Sequence, residues 1–486
     1  MTILLITLQI CYICCSFTWG EQINLYGDAG QAYSVEAYLG HPHQKLKLLV
    51  DTGSTTLAVA SYPRENSNEY FHKENSSSIN DRGQNVQAEY SQGMWSGRLV
   101  SDYIKFPSLP SIPEVMSEMA LITHSHKFFM NGSGWQGLLG LAYLPVGASG
   151  NNVVVESWLD SVERKLDKQI SFNLKLCGPI STANSTHYGY FKMIVDDHAY
   201  FETSDVKFKT PILRKRWYEI GVIAIRVLDP VAVSTPNKSS SDEEYAFSGD
   251  MCGKLNEEKS IVDSGTTNIR IPNALYKQVV DQLKNVYRNS QVLILDEFWY
   301  QGEAACWPDP QVWTLPSLAI DLLSFDSDNQ YFTLEIPPQN YMRVAAVYNS
   351  SDKNGTVSEY CYKFGLEAGG TETVLGYTAM EGLQVLFNRS AGWIGWQTSD
   401  CGANTRISGP YNVSTSLKSF CQLIKSDSEV AISIRAAQWA LCIISIVAAA
   451  VLVYLLAPCV KTFIIKKAPS SQQISLTQTA TLEQDT

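Results

Sequence analysis

Positive charge is scarce in this sequence. Its 486 residues include 37 Lys and Arg against 48 Asp and Glu, which gives a formal net charge of −11. An acidic chain without a long Lys/Arg cluster repels the phosphates of nucleic acids, so nucleic-acid binding is excluded. Charged residues make up only 17% of the chain, whereas 45% is hydrophobic and 11% is aromatic. This composition excludes a largely disordered chain and indicates a folded protein.

The sequence also lacks the histidine motifs of two hydrolase classes. None of its seven histidines lies in the context of a Ser-His-Asp triad, which needs a histidine as general base. His41-Pro42-His43 and His124-Ser125-His126 are isolated pairs without the H-E-x-x-H spacing of zinc hydrolases. We interpret both pairs as loop residues. The sequence therefore predicts neither a serine hydrolase nor a metal hydrolase, and we expect no metal and no cofactor.

Two long uncharged segments lie near the ends of the chain. Residues 1–20 contain no charged side chain and are typical of a secretory signal peptide, with a retained N-terminal anchor as the alternative. Residues 436–460 form 25 uncharged positions in a row, more than the roughly 20 that cross a bilayer. Lys461 follows directly, so the positive-inside rule predicts a type I orientation with residues 461–486 as a cytoplasmic tail.

Cysteine is absent from residues 21 to 176. Between the two uncharged segments there are six cysteines, namely Cys177, Cys252, Cys306, Cys361, Cys401 and Cys421. An even number in an oxidising lumen predicts three disulfides, with 15 connectivities that the sequence leaves open. The same part of the chain has eight glycosylation sequons, at Asn75, Asn131, Asn184, Asn237, Asn349, Asn354, Asn388 and Asn412. Both features indicate an extracytoplasmic location.

The hydrophobic pattern between residues 21 and 433 is mainly that of β-strands. Alternating stretches occur at Ser34–Leu39, Leu46–Val50, Gly97–Phe106, Phe172–Leu176, Trp217–Val227 and Val385–Trp396. Helical patterns are few, and the best are Val154–Leu166 and Asn273–Val286. Asp229–Asp250 is rich in Ser, Pro, Asp and Glu and predicts an exposed loop. We predict an all-β protein with few helices.

A short acidic motif occurs twice in this β-rich part. The two copies are Asp51-Thr52-Gly53-Ser54 and Asp263-Ser264-Gly265-Thr266, each preceded by apolar residues. Each copy is followed later by two apolar residues and a glycine, at Leu138-Leu139-Gly140 and Val374-Leu375-Gly376. We predict that each copy is a buried strand running into a tight turn, where Gly53 and Gly265 permit close backbone approach.

Two facing aspartates can perform acid–base chemistry on one water molecule. Carboxyl groups about 3 Å apart cannot both ionise, so one acts as a base toward water and the other as an acid toward a carbonyl. We predict that Asp51 and Asp263 form this pair. Ser54 and Thr266 would hold the outer oxygens of the two carboxyl groups.

With these motifs the chain resembles the pepsin-type aspartic endopeptidases from about Gly27 to Cys421. Within that family it is most similar to the β-secretases, or memapsins, in residues 88–97, 128–137, 176–178 and 260–272. The phrase from Ser260 to Asn268 is the most specific of these segments. The cysteine layout and the C-terminal uncharged segment also fit that branch.

The resemblance implies a bilobal β fold with a cleft between an N-terminal lobe (residues 21–180) and a C-terminal lobe (residues 181–430). It implies that Tyr90 closes over the substrate, with Trp95 as its hydrogen-bond partner. Further substrate-binding residues would be Phe128, Trp135 and Leu138 as apolar walls and Arg270 as a cleft arginine that tolerates polar or acidic side chains. The implied disulfides are Cys177–Cys401, Cys252–Cys421 and Cys306–Cys361.

Three features depart from the family pattern. Only 30 residues lie between Gly20 and Asp51, so we expect no removable prosegment. Residues Met193–Asp197 occupy the position at which the family often has a sequence similar to Gly-Gly-Ile-Asp. The tail has no acidic dileucine sorting signal.

The resemblance implies a membrane-anchored aspartic endopeptidase with polypeptide substrates, chiefly type I membrane proteins. We expect it to work in an acidic Golgi or endosomal lumen or at the plasma membrane. The alternative is a catalytically silent peptide-binding receptor of the same fold.

Overall fold

The computed structural model describes residues 22–27, 32–64, 67–90, 93–129, 134–143, 155–181, 184–195, 200, 205–228, 249–287, 294–307, 315–352, 355–423, 439, 441–452 and 454–456. The predicted signal peptide at residues 1–20 and the predicted tail at residues 461–486 lie outside these ranges. So does most of the predicted loop, at residues 229–248. The chain divides into two compact units, residues 1–424 and residues 425–486.

The first unit is built mainly of β-strands. In the first 200 residues the described strands are β1 (Gln22–Gly27), β2 (Ser34–Leu39), β3 (Gln44–Asp51), β4 (Leu57–Ala60), β5 (Asn80–Glu89), β6 (Met94–Lys105), β7 (Val115–His126), β8 (Gly137–Gly140), β9 (Ser171–Ser181) and β10 (Asn184–Ile194). The later strands are β11 (Phe208–Pro211), β12 (Val222–Leu228), β13 (Ser260–Val262), β14 (Ile269–Ile271), β15 (Ala305–Trp307), β16 (Ser317–Leu323), β17 (Gln330–Ile336), β18 (Met342–Asp352), β19 (Gly355–Phe364), β20 (Leu366–Ala368), β21 (Thr373–Leu375), β22 (Leu383–Asn388), β23 (Trp393–Thr398) and β24 (Arg406–Asn412).

Helices are few and mostly short in this unit. They are α1 (Trp158–Leu166), α2 (Gly249–Leu255), α3 (Asn273–Tyr287), α4 (Asp296–Gln301), α5 (Pro338–Tyr341) and α6 (Leu417–Phe420), with 3₁₀ turns at Lys73–Asn75 and Tyr377–Ala379. The predicted β-rich class with few helices is confirmed.

Differences from the predicted boundaries have local causes. Helix α1 begins at Trp158 rather than Val154 because Ser157 caps it: its hydroxyl accepts a hydrogen bond from the Asp160 amide, and the Asp160 carboxylate accepts one from the Ser157 amide. The single predicted stretch Val385–Trp396 is two strands, β22 and β23, because the chain turns where Gly392 has a φ of 75°. The predicted stretch Trp217–Val227 becomes a regular strand only at Val222.

The largest sheet connects the early and late parts of the first unit. Its 13 strands follow the order β11-β23-β22-β9-β10-β1-β2-β3-β8-β4-β7-β6-β5. The other three sheets, β12-β16-β17-β24, β13-β21-β14-β20 and β15-β19-β18, are formed only by residues beyond 221. The predicted lobe boundary between residues 180 and 181 falls at the end of strand β9, which pairs with β10. The division at that point stays a prediction.

The two acidic motifs lie in equivalent strand arrangements. Strand β3 pairs in parallel with β8, which places Asp51 opposite Gly140. Strand β13 pairs in parallel with β21, which places Val262 opposite Leu375. The structure therefore sets each Asp motif beside its apolar-apolar-Gly partner.

The glycine of each partner strand fits under the turn of the motif. A Cβ atom on Gly140 would lie 2.3 Å from the carbonyl carbon of Thr55, and one on Gly376 would lie 2.3 Å from the carbonyl oxygen of Asn268. Real Cβ atoms do not approach backbone so closely, so both positions require glycine. This close approach is the physical reason for the repeated glycine.

Three disulfides hold the later part of the unit. They are Cys177–Cys401, Cys252–Cys421 and Cys306–Cys361. These are the same pairs that the resemblance implies, and they select one of the connectivities that the sequence leaves open.

The described sequons differ in accessibility. Asn75 and Asn412 are exposed. Asn388 is only 3% exposed, and its side-chain oxygen accepts hydrogen bonds from the Ala391 amide and the Ser390 hydroxyl. A glycan on Asn388 is incompatible with this packed turn. The side chains of Asn131, Asn184, Asn237, Asn349 and Asn354 lie outside the described residues.

The second unit contains part of the predicted membrane span at residues 436–460. Residues 441–452 and 454–456 are helical, and their side chains are exposed. The large apolar ones include Leu441, Ile444 and Leu455. Within the described residues, none of the helices combines the length and the apolar character needed to cross a bilayer.

Candidate active site

The first acidic turn holds Asp51 through two hydrogen bonds. Asp51 ends the buried strand β3, and its side chain is 5% exposed. The Gly53 amide donates to its Oδ1 (2.7 Å), and the Ser54 hydroxyl donates to its Oδ2 (2.5 Å). Because both oxygens are fixed, the carboxyl plane has one orientation.

The second turn repeats this arrangement around Asp263. This residue follows β13 directly and is 9% exposed. The Gly265 amide donates to its Oδ1 (2.8 Å), and the Thr266 hydroxyl donates to its Oδ2 (2.6 Å). The structure thus places the four supporting residues predicted from the repeat, Gly53, Ser54, Gly265 and Thr266, in equivalent positions.

The two carboxyl groups face each other. A Cβ atom on Gly53 would lie 2.5 Å from the carboxyl carbon of Asp263, and one on Gly265 would lie 2.4 Å from Oδ1 of Asp51. Each turn therefore packs its glycine against the aspartate of the other turn. Neither Gly53 nor Gly265 has a positive φ, so backbone conformation does not require glycine at these positions. Glycine is required because a side chain would collide with the facing aspartate.

Thr52 and Ser264 link the two turns, a role that was not predicted from the sequence for either residue. The Thr52 hydroxyl donates to the Val262 carbonyl (2.8 Å) and accepts from the Ser264 amide (2.9 Å). The Ser264 hydroxyl donates to the Val50 carbonyl (2.7 Å) and accepts from the Thr52 amide (3.2 Å). Both side chains are at most 1% exposed. The signal that could have found them is the hydroxyl that follows the aspartate in both copies.

Burial and proximity change the protonation of Asp51. Its pKa is raised well above the usual value, first by burial, then by the charge of Asp263 and a hydrogen bond with that residue. The hydrogen bonds from Ser54 and Gly53 act in the opposite direction and lower it. Burial and the neighbouring carboxyl group outweigh these two bonds, so the pair of carboxyl groups retains a shared proton.

Tyr90 lies above this pair, in the turn between β5 and β6. Its amide donates to the Gly93 carbonyl (2.7 Å), and its hydroxyl accepts a hydrogen bond from the Trp95 indole (3.4 Å). Burial, followed by the charge of Asp51, raises the pKa of Tyr90, while hydrogen bonds with Trp95 and Ser54 lower it. Tyr90 therefore stays protonated and is connected to Asp51 through Ser54.

Trp95 has a different position from the one that a substrate contact requires. It is 1% exposed, belongs to a small apolar cluster with Val86, Ala88 and Leu99, and is absent from the described lining of the cleft. Trp95 is therefore not a substrate-binding residue of the described cleft, whereas its predicted hydrogen bond to the Tyr90 hydroxyl is confirmed. Trp95 acts by positioning the Tyr90 hydroxyl.

A cleft of about 930 Å³ contains both aspartates. The predicted wall residues Phe128, Trp135 and Leu138 all line it, together with Tyr90. The Phe128 ring lies 5.5 Å from that of Tyr90 and 5.6 Å from that of Trp135, centroid to centroid. These aromatic contacts form one apolar wall beside Asp51.

Charged side chains line other parts of the cleft. Arg270 is present as predicted, but its Nε donates to Oε1 of Glu367 (2.7 Å), whose other oxygen accepts from Nδ2 of the Asn268 side chain (2.9 Å). Much of the Arg270 charge is thus compensated. Lysines that the sequence analysis did not identify also line the cleft: Lys127, Lys259 and Lys363, of which Lys259 pairs with Glu372 (2.7 Å).

The chemical capacity of the site follows from this geometry. A buried pair of carboxyl groups with one shared proton can accept a proton from water and donate one to a carbonyl oxygen.

Within the described residues, the candidate metal cluster consists of His41, His43 and Glu114. None of these three lines the cleft.

Comparison with known proteins agrees with this site. A family profile described as eukaryotic aspartyl protease matches residues 32–398. A protein named beta-secretase from Strongylocentrotus purpuratus is 30% identical over 402 residues, which cover 78% of this chain and 69% of the relative. The matched region contains both acidic turns, the cleft walls and Arg270.

Proposed function

This chain belongs to the eukaryotic aspartyl protease family, and from that premise we propose that it is an aspartic endopeptidase. The observation that carries the proposal is the pair of facing carboxyl groups, in which Asp51 is buried, has a raised pKa and contacts Asp263. A shared proton at this position is what peptide hydrolysis by two carboxyl groups requires.

The proposed reaction uses one water molecule between the two aspartates. Asp263 accepts a proton from the water, whose oxygen attacks the peptide carbonyl carbon, while Asp51 donates its proton to the carbonyl oxygen. The resulting gem-diol returns a proton to Asp51 as the C–N bond breaks, and Asp263 donates its proton to the leaving amine. The pair ends with one proton, as it began.

Tyr90 and the apolar wall beside it are the proposed substrate-binding surface of the cleft. Phe128, Trp135 and Leu138 offer an apolar surface to a substrate side chain on the Tyr90 side of the cleft. Tyr90 is a neutral hydrogen-bond donor near Ser54. It closes over the bound peptide and excludes water from the site.

We also propose that the enzyme is a type I membrane protein of an acidic Golgi or endosomal lumen or of the plasma membrane. The support is the 25-residue uncharged segment before Lys461 and the exposed apolar side chains of the helical residues 441–452. Tethering restricts the enzyme and its substrates to one surface and raises their effective concentration. Other membrane proteins are therefore the proposed substrates.

The test compares the full-length chain with Asp51→Asn and Asp263→Asn variants in a peptide-cleavage assay between about pH 4 and pH 7. Cleavage by the wild type that falls to background in both variants supports the proposal. Peptide binding by the wild type without cleavage at any pH would instead assign the chain to the silent receptor class.

A further inference from the structure

Three side chains with metal-binding atoms meet outside the described lining of the cleft. His41 and His43 lie in the turn between β2 and β3, and Glu114 directly precedes β7. Oε1 of Glu114 lies 2.8 Å from Nε2 of His43 and 3.3 Å from Nε2 of His41. One ligand atom from each residue lies within 4.8 Å of the other two.

We propose that His41, His43 and Glu114 form a binding site for a divalent transition metal, with Zn²⁺ as the best match. Two imidazoles and one carboxylate are a ligand set that Zn²⁺ uses, whereas Ca²⁺ and Mg²⁺ prefer oxygen ligands alone. At Zn–N distances of about 2.0–2.1 Å, tetrahedral ligand atoms are about 3.3 Å apart. The His41–Glu114 distance of 3.3 Å matches that spacing, and the 2.8 Å His43–Glu114 contact is a hydrogen bond that a bound ion would replace.

The site is open to the solvent on one side. The exposed fractions of the His41, His43 and Glu114 side chains are 40%, 31% and 28%. An ion can therefore reach the three ligands, and water can occupy the fourth position of a tetrahedral zinc site.

The histidine turn is rigidly held before any ion arrives. The His41 amide donates to the Ser76 hydroxyl (3.2 Å), and the His41 carbonyl accepts from the Ser77 amide (2.7 Å) and hydroxyl (3.0 Å). The His41 ring contacts Tyr103 edge-on, with centroids 4.8 Å apart. The His43 ring lies 5.6 Å from that of Tyr38. A fixed backbone and packed rings reduce the entropy lost on binding a metal.

A metal here would connect two parts of the chain that no disulfide connects. Residues 21–176 contain no cysteine, and His43 and Glu114 are 71 positions apart. The chain between them includes Asp51 and the Tyr90 turn. A bound ion would close this long loop and stabilise the folded state, as a disulfide does in the later part of the unit.

The direct test is zinc binding by the purified full-length chain without a histidine tag, after removal of metals with EDTA. We expect about one Zn²⁺ per chain, with affinity lowered on the order of tenfold or more in the His43→Gln and Glu114→Gln variants. The matched control is the double variant His124→Gln/His126→Gln, which removes the other His-x-His pair. It should bind as the wild type does.

Thermal unfolding supplies a second readout that does not depend on activity. Zn²⁺ should raise the unfolding midpoint of the wild type by several degrees, on the order of 5 °C, and leave that of His43→Gln unchanged. In EDTA the two proteins should unfold alike, which shows that the variant is folded.

Three outcomes would overturn the proposal. One is a wild type that binds no stoichiometric zinc, which would leave the cluster as a set of hydrogen-bonded side chains. The others are binding that persists in both His43→Gln and Glu114→Gln, and binding lost in the His124→Gln/His126→Gln control. Because none of these readouts uses peptide cleavage, failure here and failure of the proposed protease function are distinguishable.

Discussion

Gly53 lies against the carboxyl group of Asp263 so closely that a Cβ atom at position 53 would be 2.5 Å from its carboxyl carbon. Gly265 and Asp51 have the reciprocal relationship. Each acidic turn therefore shapes the surroundings of the other turn's aspartate. This relationship makes the two halves of the site interdependent.

Replacing Gly53 with alanine should nearly abolish activity while leaving the chain folded. The added methyl group must displace the Asp263 carboxyl group by about 1 Å, and such displacements reduce rates on the order of 100-fold. Peptide-cleavage kinetics measure the loss. Gly253→Ala is the control, because a Cβ atom there meets nothing within 4 Å. A Gly53→Ala enzyme with wild-type kcat would contradict the proposed geometry.

Thr52→Val should lower both stability and kcat. The substitution preserves shape but leaves the Ser264 amide and the Val262 carbonyl without their hydrogen bonds to the hydroxyl, at a cost of about 1–3 kcal/mol for each buried group. Chemical denaturation and kinetics measure the two effects. Thr210→Val is the control, since the buried Thr210 hydroxyl has no hydrogen-bond partner within the described residues. Equal behaviour of the two variants would remove Thr52 from the site.

Ser54→Ala should move the alkaline limit of activity to higher pH. The Ser54 hydrogen bond lowers the pKa of Asp51, and without it burial and Asp263 raise that pKa further. In the proposed reaction Asp51 must carry a proton, so activity should then persist to a higher pH. The pH dependence of kcat/KM measures the shift. A limb that moves to lower pH would show that Ser54 does not act through Asp51.

Asp51→Asn should raise the unfolding midpoint at neutral pH. The pKa of Asp51 is higher in the folded than in the unfolded protein, so its contribution to stability is present below the unfolded pKa and is lost as pH rises through the folded pKa. The gain from Asp51→Asn should therefore shrink as the pH falls. Thermal unfolding measured from neutral to acidic pH tests this prediction. Asp205→Asn, at an exposed position, is the control, and its effect on the unfolding midpoint should not change with pH in this way.

Glu367→Gln should increase the preference for acidic substrate side chains. The change leaves the charge of Arg270, 13% exposed, without its carboxylate partner in the cleft. We expect kcat/KM for peptides with an acidic residue near the scissile bond to rise up to about fivefold relative to neutral peptides. Glu257→Gln, at an exposed position outside the described cleft lining, is the control. An unchanged ratio would show that substrates do not contact Arg270.

The aspartate pair and its immediate support could be predicted from the sequence because the contacts around each aspartate are local. Asp51 is hydrogen-bonded by residues two and three positions later, and Asp263 is held in the same way. A repeated four-residue motif therefore contains the whole arrangement around each carboxyl group. Local alternation of apolar residues likewise predicts strands such as Ser34–Leu39, which the structure reproduces.

Contacts between distant residues could not be predicted in this way. The Thr52–Ser264 hydrogen bonds join positions 212 apart, the Arg270–Glu367 pair joins positions 97 apart, and the His43–Glu114 contact joins positions 71 apart. Periodicity reports which face of an element is buried, and it does not report which other element covers that face. For the same reason, the sequence did not predict that Trp95 is buried away from the cleft.

The sequence by itself determined the β-rich class, the two aspartates and the hydroxyl and glycine residues beside them, because each depends on near neighbours in the chain. Only the tertiary structure decided how the two turns interlock, which charges in the cleft are compensated and which histidines meet a carboxylate. These features depend on strand order and register, through which a 13-stranded sheet brings together residues that lie far apart in sequence.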